Sequence, residues 1–253
     1  MIRKSLPIIV AIIAMAVPLT ASAQLFTTAK ESPRSQMFEI KFGMYTPDID
    51  SESGLSGTPY KTIFGDDGLF MTKFEYDYQL WQGFGSIALG LEVGFGDVTG
   101  QGREVDSDTE SSDTTVLSVV PMSLMLVYHF DVLATRWDIP LVPFFKAGID
   151  CHIWWINDGV GETSTYETTN AETGKTSTME AFGDTWGWHV SGGVKLLLDT
   201  FAPRMARTFD NDSGVNNSYL FAEVVHSVVD DFGSGNSFQL GDTSYLFGLA
   251  FEF

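Results

Sequence analysis

The strongest constraint in this chain is a two-residue alternation that recurs in eight separate segments, with apolar or aromatic residues on one face and charged residues mixed with glycine on the other. Period two is the signature of a strand, because successive side chains point to opposite sides of the pleat. The clearest case lies near Ser86 to Gly96, where Ile87, Leu89, Leu91, Val93 and Phe95 oppose Ala88, Gly90, Glu92 and Gly94. The other strands are expected near Met37 to Thr46, Leu69 to Leu80, Thr115 to Phe130, Leu141 to Trp155, Thr185 to Leu198, Asn217 to Val229 and Tyr245 to Phe253. Polar, turn-rich stretches separate them, and the sequence shows no convincing amphipathic helix longer than a few turns.

Alternation alone does not say which face is inside. A water-soluble barrel points its apolar face inward, and a membrane barrel points it at lipid. The content of the polar face decides. It carries Lys73, Glu75 and Asp77 on the second strand, Glu92 on the third, Lys146, Asp150 and His152 on the fifth, His189 and Lys195 on the sixth, and Glu223 on the seventh. Glycines are interspersed on nearly every strand. Charges of both signs beside small residues suit a narrow interior filled by ion pairs, so these ten residues are expected to form a structural polar network in the lumen. A solvent face would rarely need so many glycines, which disfavours the alternative of a soluble, lipocalin-like ligand-binding barrel. Closure is also required in hydrocarbon, since an open sheet edge leaves N–H and C=O groups unpaired at about several kcal/mol each. The expected fold is therefore all-β, an antiparallel up-and-down transmembrane barrel of about eight strands preceded by a signal peptide.

Both ends of the chain agree with export. Arg3 and Lys4, an apolar run from Leu6 to Leu19 and then Ala21-Ser22-Ala23 follow the order of a signal peptide, with cleavage expected before Gln24. This divides the chain into a signal peptide at 1–23, a flexible segment at 24–36 and a barrel at 37–253. The apolar run is too short to span roughly 30 Å as a helix. At the other end, Tyr245-Leu246-Phe247-Gly248-Leu249-Ala250-Phe251-Glu252-Phe253 is a strand closed by an aromatic residue. Phe253 is expected to be the insertion signal recognised by the barrel insertion machinery, and the expected location is the outer membrane.

The formal charge of -19 repels nucleic acid phosphates, so no nucleic acid partner is expected. Part of the acidity falls in one short stretch, Asp106, Asp108, Glu110 and Asp113. Cys151 is the single cysteine, so no internal disulfide is available, and the alternation puts it on the lipid face. With both termini on the periplasmic side, the connections near Pro47 to Gly68, Asp97 to Thr114, Ile156 to Asp184 and Asp230 to Asp242 face outward. Those near Trp81 to Gly85, Asp131 to Pro140 and Asp199 to Asn216 face the periplasm, and the last of these is long for that side. Two aromatic girdles are expected: Phe38, Tyr78, Tyr128, Phe130, Tyr219 and Phe253 at one rim, and Phe70, Phe95, Trp155, Trp186, Trp188 and Tyr245 at the other.

Several short motifs resemble a deltaproteobacterial-type family of outer-membrane β-barrel proteins. They are Gly43-Met44-Tyr45-Thr46-Pro47-Asp48-Ile49-Asp50 with Phe64-Gly65, Pro140-Leu141-Val142-Pro143 with Lys146 and Gly148, and Gly214-Val215-Asn216 followed by Tyr219-Leu220-Phe221-Ala222-Glu223. The resemblance implies location and fold, and it supplies no catalytic residues to carry over.

The candidate chemistry is sparse. Metal or hydrolytic chemistry would need His129, His152, His189 or His226 beside carboxylates or a nucleophile. The pair His226-Ser227 is the nearest match to a lipid-modifying outer-membrane enzyme, but adjacent strand residues point to opposite faces. No catalytic residue, cofactor or metal is therefore expected. An eight-stranded barrel is filled by its own side chains, which disfavours a small-solute pore. What remains is a structural or surface-interaction protein. Its acidic outer loops would meet lipopolysaccharide through bridging divalent cations, and an extracellular or envelope protein partner is left open.

Overall fold

The computed structural model describes residues 35–52, 55, 57–66, 68–103, 110–169, 176–234 and 237–253. The expected signal peptide, residues 24–34, Asp106 and Asp108 lie outside them. Eight strands form the wall: β1 (Gln36–Tyr45), β2 (Leu69–Gly83), β3 (Gly85–Arg103), β4 (Glu110–His129), β5 (Leu141–Asn157), then, after the short strands β6 (Thr165–Thr169) and β7 (Thr176–Glu180), β8 (Phe182–Leu197), β9 (Asn217–Val229) and β10 (Asp242–Glu252). Each wall strand pairs antiparallel with its neighbours in the chain, and β1 pairs with β10, so the sheet is a closed barrel. The seam is tied at its end. Phe253 donates its N–H to the Gln36 carbonyl at 2.8 Å, and Ser35 donates to the Phe253 carbonyl at 2.8 Å. The first wall strand thus starts at Gln36.

The side chains follow the alternation. Phe74, Leu89, Leu124 and Phe247, which a water-soluble barrel would keep in a dry centre, are 44, 39, 48 and 60% exposed on the outer wall. Lys41, Lys146 and Lys195 are buried inside. Phe70, Phe95, Trp186, Trp188, Tyr78 and Tyr245 are exposed on the outside. Tyr219 departs from the expected girdle. It is buried in the lumen with its hydroxyl 2.9 Å from Glu252 Oε2, because it lies on the same face of β9 as Phe221 and Glu223.

The connections are more ordered than their composition implies. Of the stretch from Asp97 to Thr114, expected as a loop, residues 97–103 extend β3 and residues 110–114 extend β4, with Val98 opposite Leu117 and Gln101 opposite Thr114. The stretch from Ile156 to Asp184 holds the paired strands β6 and β7, and the long link from Asp199 to Asn216 holds a helix. Among the described residues the connections hold three short α-helices, α1 (Pro59–Phe64), α2 (Val132–Trp137) and α3 (Pro203–Ser213), and a single 3-10 turn at Ile49–Ser51. Asp50 anchors α1, its carboxylate accepting the N–H of Tyr60 at 2.7 Å and of Lys61 at 3.0 Å. Pro203 starts α3, and Gly214 ends it with φ of 74°, a left-handed conformation that glycine adopts without steric cost.

Candidate functional site: the barrel lumen

The interior is stratified along the axis. At the end that carries the long connections, Tyr45, Tyr60, Phe64, Leu69, Met71 and Leu117 belong to a buried apolar cluster, sealed in part by Leu240, whose carbonyl accepts the Tyr45 hydroxyl at 2.6 Å. At the end that carries the termini, Met37, Val142, Phe144, Tyr219, Phe221 and Ala250 form a second cluster. Charge is concentrated between the two.

The register explains why that middle layer needs cations from several walls. Glu39 stands opposite Glu75, and Glu75 stands opposite Glu92, so three carboxylates line up across β1, β2 and β3. Lys41 likewise stands opposite Lys73. Like charges directly opposite on a sheet are destabilising. Lysines from β5 and β8 reach across to separate the carboxylates. Lys146 Nζ lies 2.9 Å from Glu39 Oε2 and 2.7 Å from Glu75 Oε1. Lys195 Nζ lies 2.5 Å from Glu39 Oε1 and 2.8 Å from His129 Nε2. Lys41, two residues along β1, donates to Glu75, lies 2.7 Å from Glu92 Oε2 and is 3.1 Å from Glu223 Oε2. Lys73 meets Glu92 Oε1 at 2.8 Å. Lys73, Glu75, Glu92, Lys146, Lys195 and Glu223 are thereby brought into one network, with Glu39 and Lys41 at its centre.

A smaller group sits beside it. Asp150 Oδ1 accepts the Ser123 hydroxyl at 2.6 Å and faces His189 Nδ1 at 2.7 Å. Ser191 donates to Glu223 Oε1 at 2.5 Å. His152 packs against Tyr45, ring centroids 6.1 Å apart, and its Nδ1 makes no hydrogen bond. Asp77 stands apart, buried with neither carboxylate oxygen hydrogen-bonded. Two interior cavities of about 20 Å³ each flank these groups, enough for about one water molecule. One is lined by Lys73, Glu92, Asp150, His152 and His189, and the other by Asp77 and His129. Among the described residues, Glu39, Asp77 and His129 each offer a potential metal-ligand atom within 4.8 Å of the other two.

Glycine makes this density possible. A Cβ on Gly90 would lie 2.5 Å from Asp77 Oδ1, and one on Gly148 would lie 2.8 Å from the His189 ring and 2.7 Å from Met125 Cβ. Any side chain at either position would displace a polar group that now fills the lumen.

No protein-family model and no curated protein matches this chain. Solved structures similar to it include the outer membrane protein OprG from Pseudomonas aeruginosa, with a TM-score of 0.46 and 12% identity over 89% of this chain and 99% of that one. Neisserial surface protein A is similar with a TM-score of 0.44 and 11% identity, over 88% of this chain and 98% of its own. The outer membrane enzyme PagL is similar at 0.37 and 13%, over 85% and 97%. The likeness is one of fold.

Outside the lumen, His226 and Ser227 point to opposite faces. His226 is on the outer wall with Nδ1 2.8 Å from Thr243 Oγ1, while the Ser227 hydroxyl oxygen accepts the Asp242 N–H at 3.1 Å. Cys151 is a free thiol, half-buried, in register with Met122 and Trp186. The sequence reading left Glu39, Lys41 and His129 out of the network. The same alternation that gave the other ten residues was the signal for these three.

Proposed function

We propose that this chain is an outer-membrane β-barrel of structural or surface-interaction type, with a side-chain-plugged lumen and its long acidic connections outside the cell. One observation carries the reading: the barrel is inverted, with Phe74, Leu124 and Phe247 on the outside and Lys41, Lys146 and Lys195 buried within. Such a wall in water would leave a continuous apolar band unsatisfied, whereas acyl chains cover it. The two apolar seals and the ion-paired layer between them support a lumen that does not conduct. Phe253, held at the β1 seam, is the proposed insertion signal. On this reading the resemblance to the deltaproteobacterial-type family extends to location, and lipopolysaccharide is the proposed lipid partner of the outer loops.

The test is surface labelling in whole cells with Cys151 replaced by Ser. A membrane-impermeant maleimide is expected to label Val160→Cys, on an exposed turn after β5, and to spare Thr208→Cys in α3 until the cells are broken. Reversed labelling, or recovery of the protein in the soluble fraction without detergent, overturns the reading. Large stable conductance steps in planar bilayers would overturn the plugged lumen. Turnover of purified lipid A or phospholipid that is lost in His226→Ala would replace the structural role with an enzymatic one.

A further inference from the structure

One carboxyl group in the lumen is left without a partner. Among the described residues, the inward carboxylates Glu39, Glu75, Glu92 and Glu223 are each within 4 Å of at least one of Lys41, Lys73, Lys146 and Lys195, and Asp150 is met by His189. Asp77 has no such partner. It is 1% exposed, neither of its oxygens is hydrogen-bonded, and it lines a cavity of about 20 Å³ together with His129. A buried carboxyl group with no hydrogen-bond partner is costly to keep, and ligation of a cation removes that cost.

We infer that Glu39, Asp77 and His129 form a site for a divalent first-row transition metal. The three residues come from β1, β2 and β4, so no spacing in the sequence discloses them, and only closure of the barrel brings their ligand atoms within 4.8 Å of one another. One imidazole and two carboxylates, without a thiolate, suit Zn²⁺ or a similar ion of borderline softness. Ca²⁺ is disfavoured, since it takes about six to eight oxygens and no nitrogen. Two carboxylates match the charge of the ion. Gln36, Gln79, Asp131 and Glu252 line the same cavity, on the side of the barrel that carries the termini. Lys195 is the built-in competitor, because its ammonium already contacts Glu39 and His129. The metal takes over those two contacts and adds the one that the ammonium does not make, to Asp77.

Asp77→Asn is the informative variant, since it is close in size and breaks no hydrogen bond of the wild type, so the fold keeps its stability. The full barrel, refolded in detergent, is titrated calorimetrically with ZnCl₂ and separately with CaCl₂. The expected result is one saturable Zn²⁺ per barrel, with affinity at least tenfold weaker in both Asp77→Asn and His129→Gln and no lower melting temperature in metal-free Asp77→Asn. Co²⁺ in the wild type is expected to give the visible absorption of a nitrogen- and oxygen-ligated tetrahedral site, lost in His129→Gln. Absence of saturable Zn²⁺ binding, unchanged affinity in both variants, or equal competition by Ca²⁺ overturns the site and assigns any bound metal to the acidic loops.

Discussion

Replacing Lys146 by Met tests whether the lumen charges act as one network. The ammonium of Lys146 is buried and bridges Glu39 and Glu75, which belong to different strands across the barrel. Breaking a buried ion pair by removing one partner costs about 3–5 kcal/mol, because the remaining charge has lost its solvent and its partner. Here each carboxylate keeps a second lysine, Lys195 for Glu39 and Lys41 for Glu75, so the lower end of that range, about 3 kcal/mol, is expected. That is roughly two decades in the folding equilibrium. The assay is urea unfolding of barrels refolded into phospholipid vesicles, followed by tryptophan fluorescence, with the slope required to match wild type so that the midpoint reports stability. Adding Glu75→Gln should recover part of the loss, since a missing pair costs less than half of one. The double variant is then less destabilised than the sum of the singles, by about 1–2 kcal/mol. Lys61→Met is the control. It removes an exposed pair with Asp66 at 2.8 Å and should leave the midpoint unchanged. If Lys146→Met unfolds at the wild-type urea concentration, or the double variant is simply additive, the carboxylates are served by water and the layer is no network.

Three further outcomes follow from the same geometry. Leu124→Arg, at an outward position in mid-strand between Leu91 and Ile149, should cost about 2–4 kcal/mol in a bilayer. A neutral effect there, with the protein soluble, would contradict the inverted wall. Gly148→Val should destabilise by about 1–3 kcal/mol through overpacking, with slower refolding by gel mobility shift, because the added carbons meet Met125 and His189. Phe144→Ala removes the fully buried ring that packs edge-on against Phe221 and lies 4.9 Å from both the Lys146 and Lys195 ammoniums, and should cost about 3–5 kcal/mol by urea unfolding.

The wall was legible in the sequence because its two faces meet different media. Each of the eight strands carries the alternation over the part where one side meets apolar surroundings and the other the lumen. Where a strand leaves that zone the signal vanishes. Thr99, Gly100, Gln101, Thr114 and Thr115 extend β3 and β4 beyond it with no preferred face, so composition reads as loop although the backbone pairing continues. The threonine-rich β6 and β7 are missed for the same reason, and their β-branched residues were the only hint. Within the lumen, alternation gives the face of a residue but not its height or its partner. Glu39 and Lys146 are 107 residues apart in the chain, and they meet only because β1 closes onto β10 and brings the far wall within reach. That is why Lys195, on the sixth wall strand, was read as a lumen residue while its contacts with Glu39 and His129 were not foreseen.

The glycines and the charges are one feature rather than two. An eight-stranded wall leaves an interior just wide enough for side chains to fill, so a long residue on one strand demands a short one beside or opposite it. Asp77 occupies the space over Gly90, and His189 the space over Gly148. Lys146 stands level with Ser191, and Glu223 with Gly193. Each lysine thus has room to extend across the axis and separate carboxylates that the register would otherwise set side by side. The same exchange of size and charge leaves cavities of only about 20 Å³ beside the paired groups, so a substitution meant to widen the lumen there would first have to break ion pairs that hold opposite walls together.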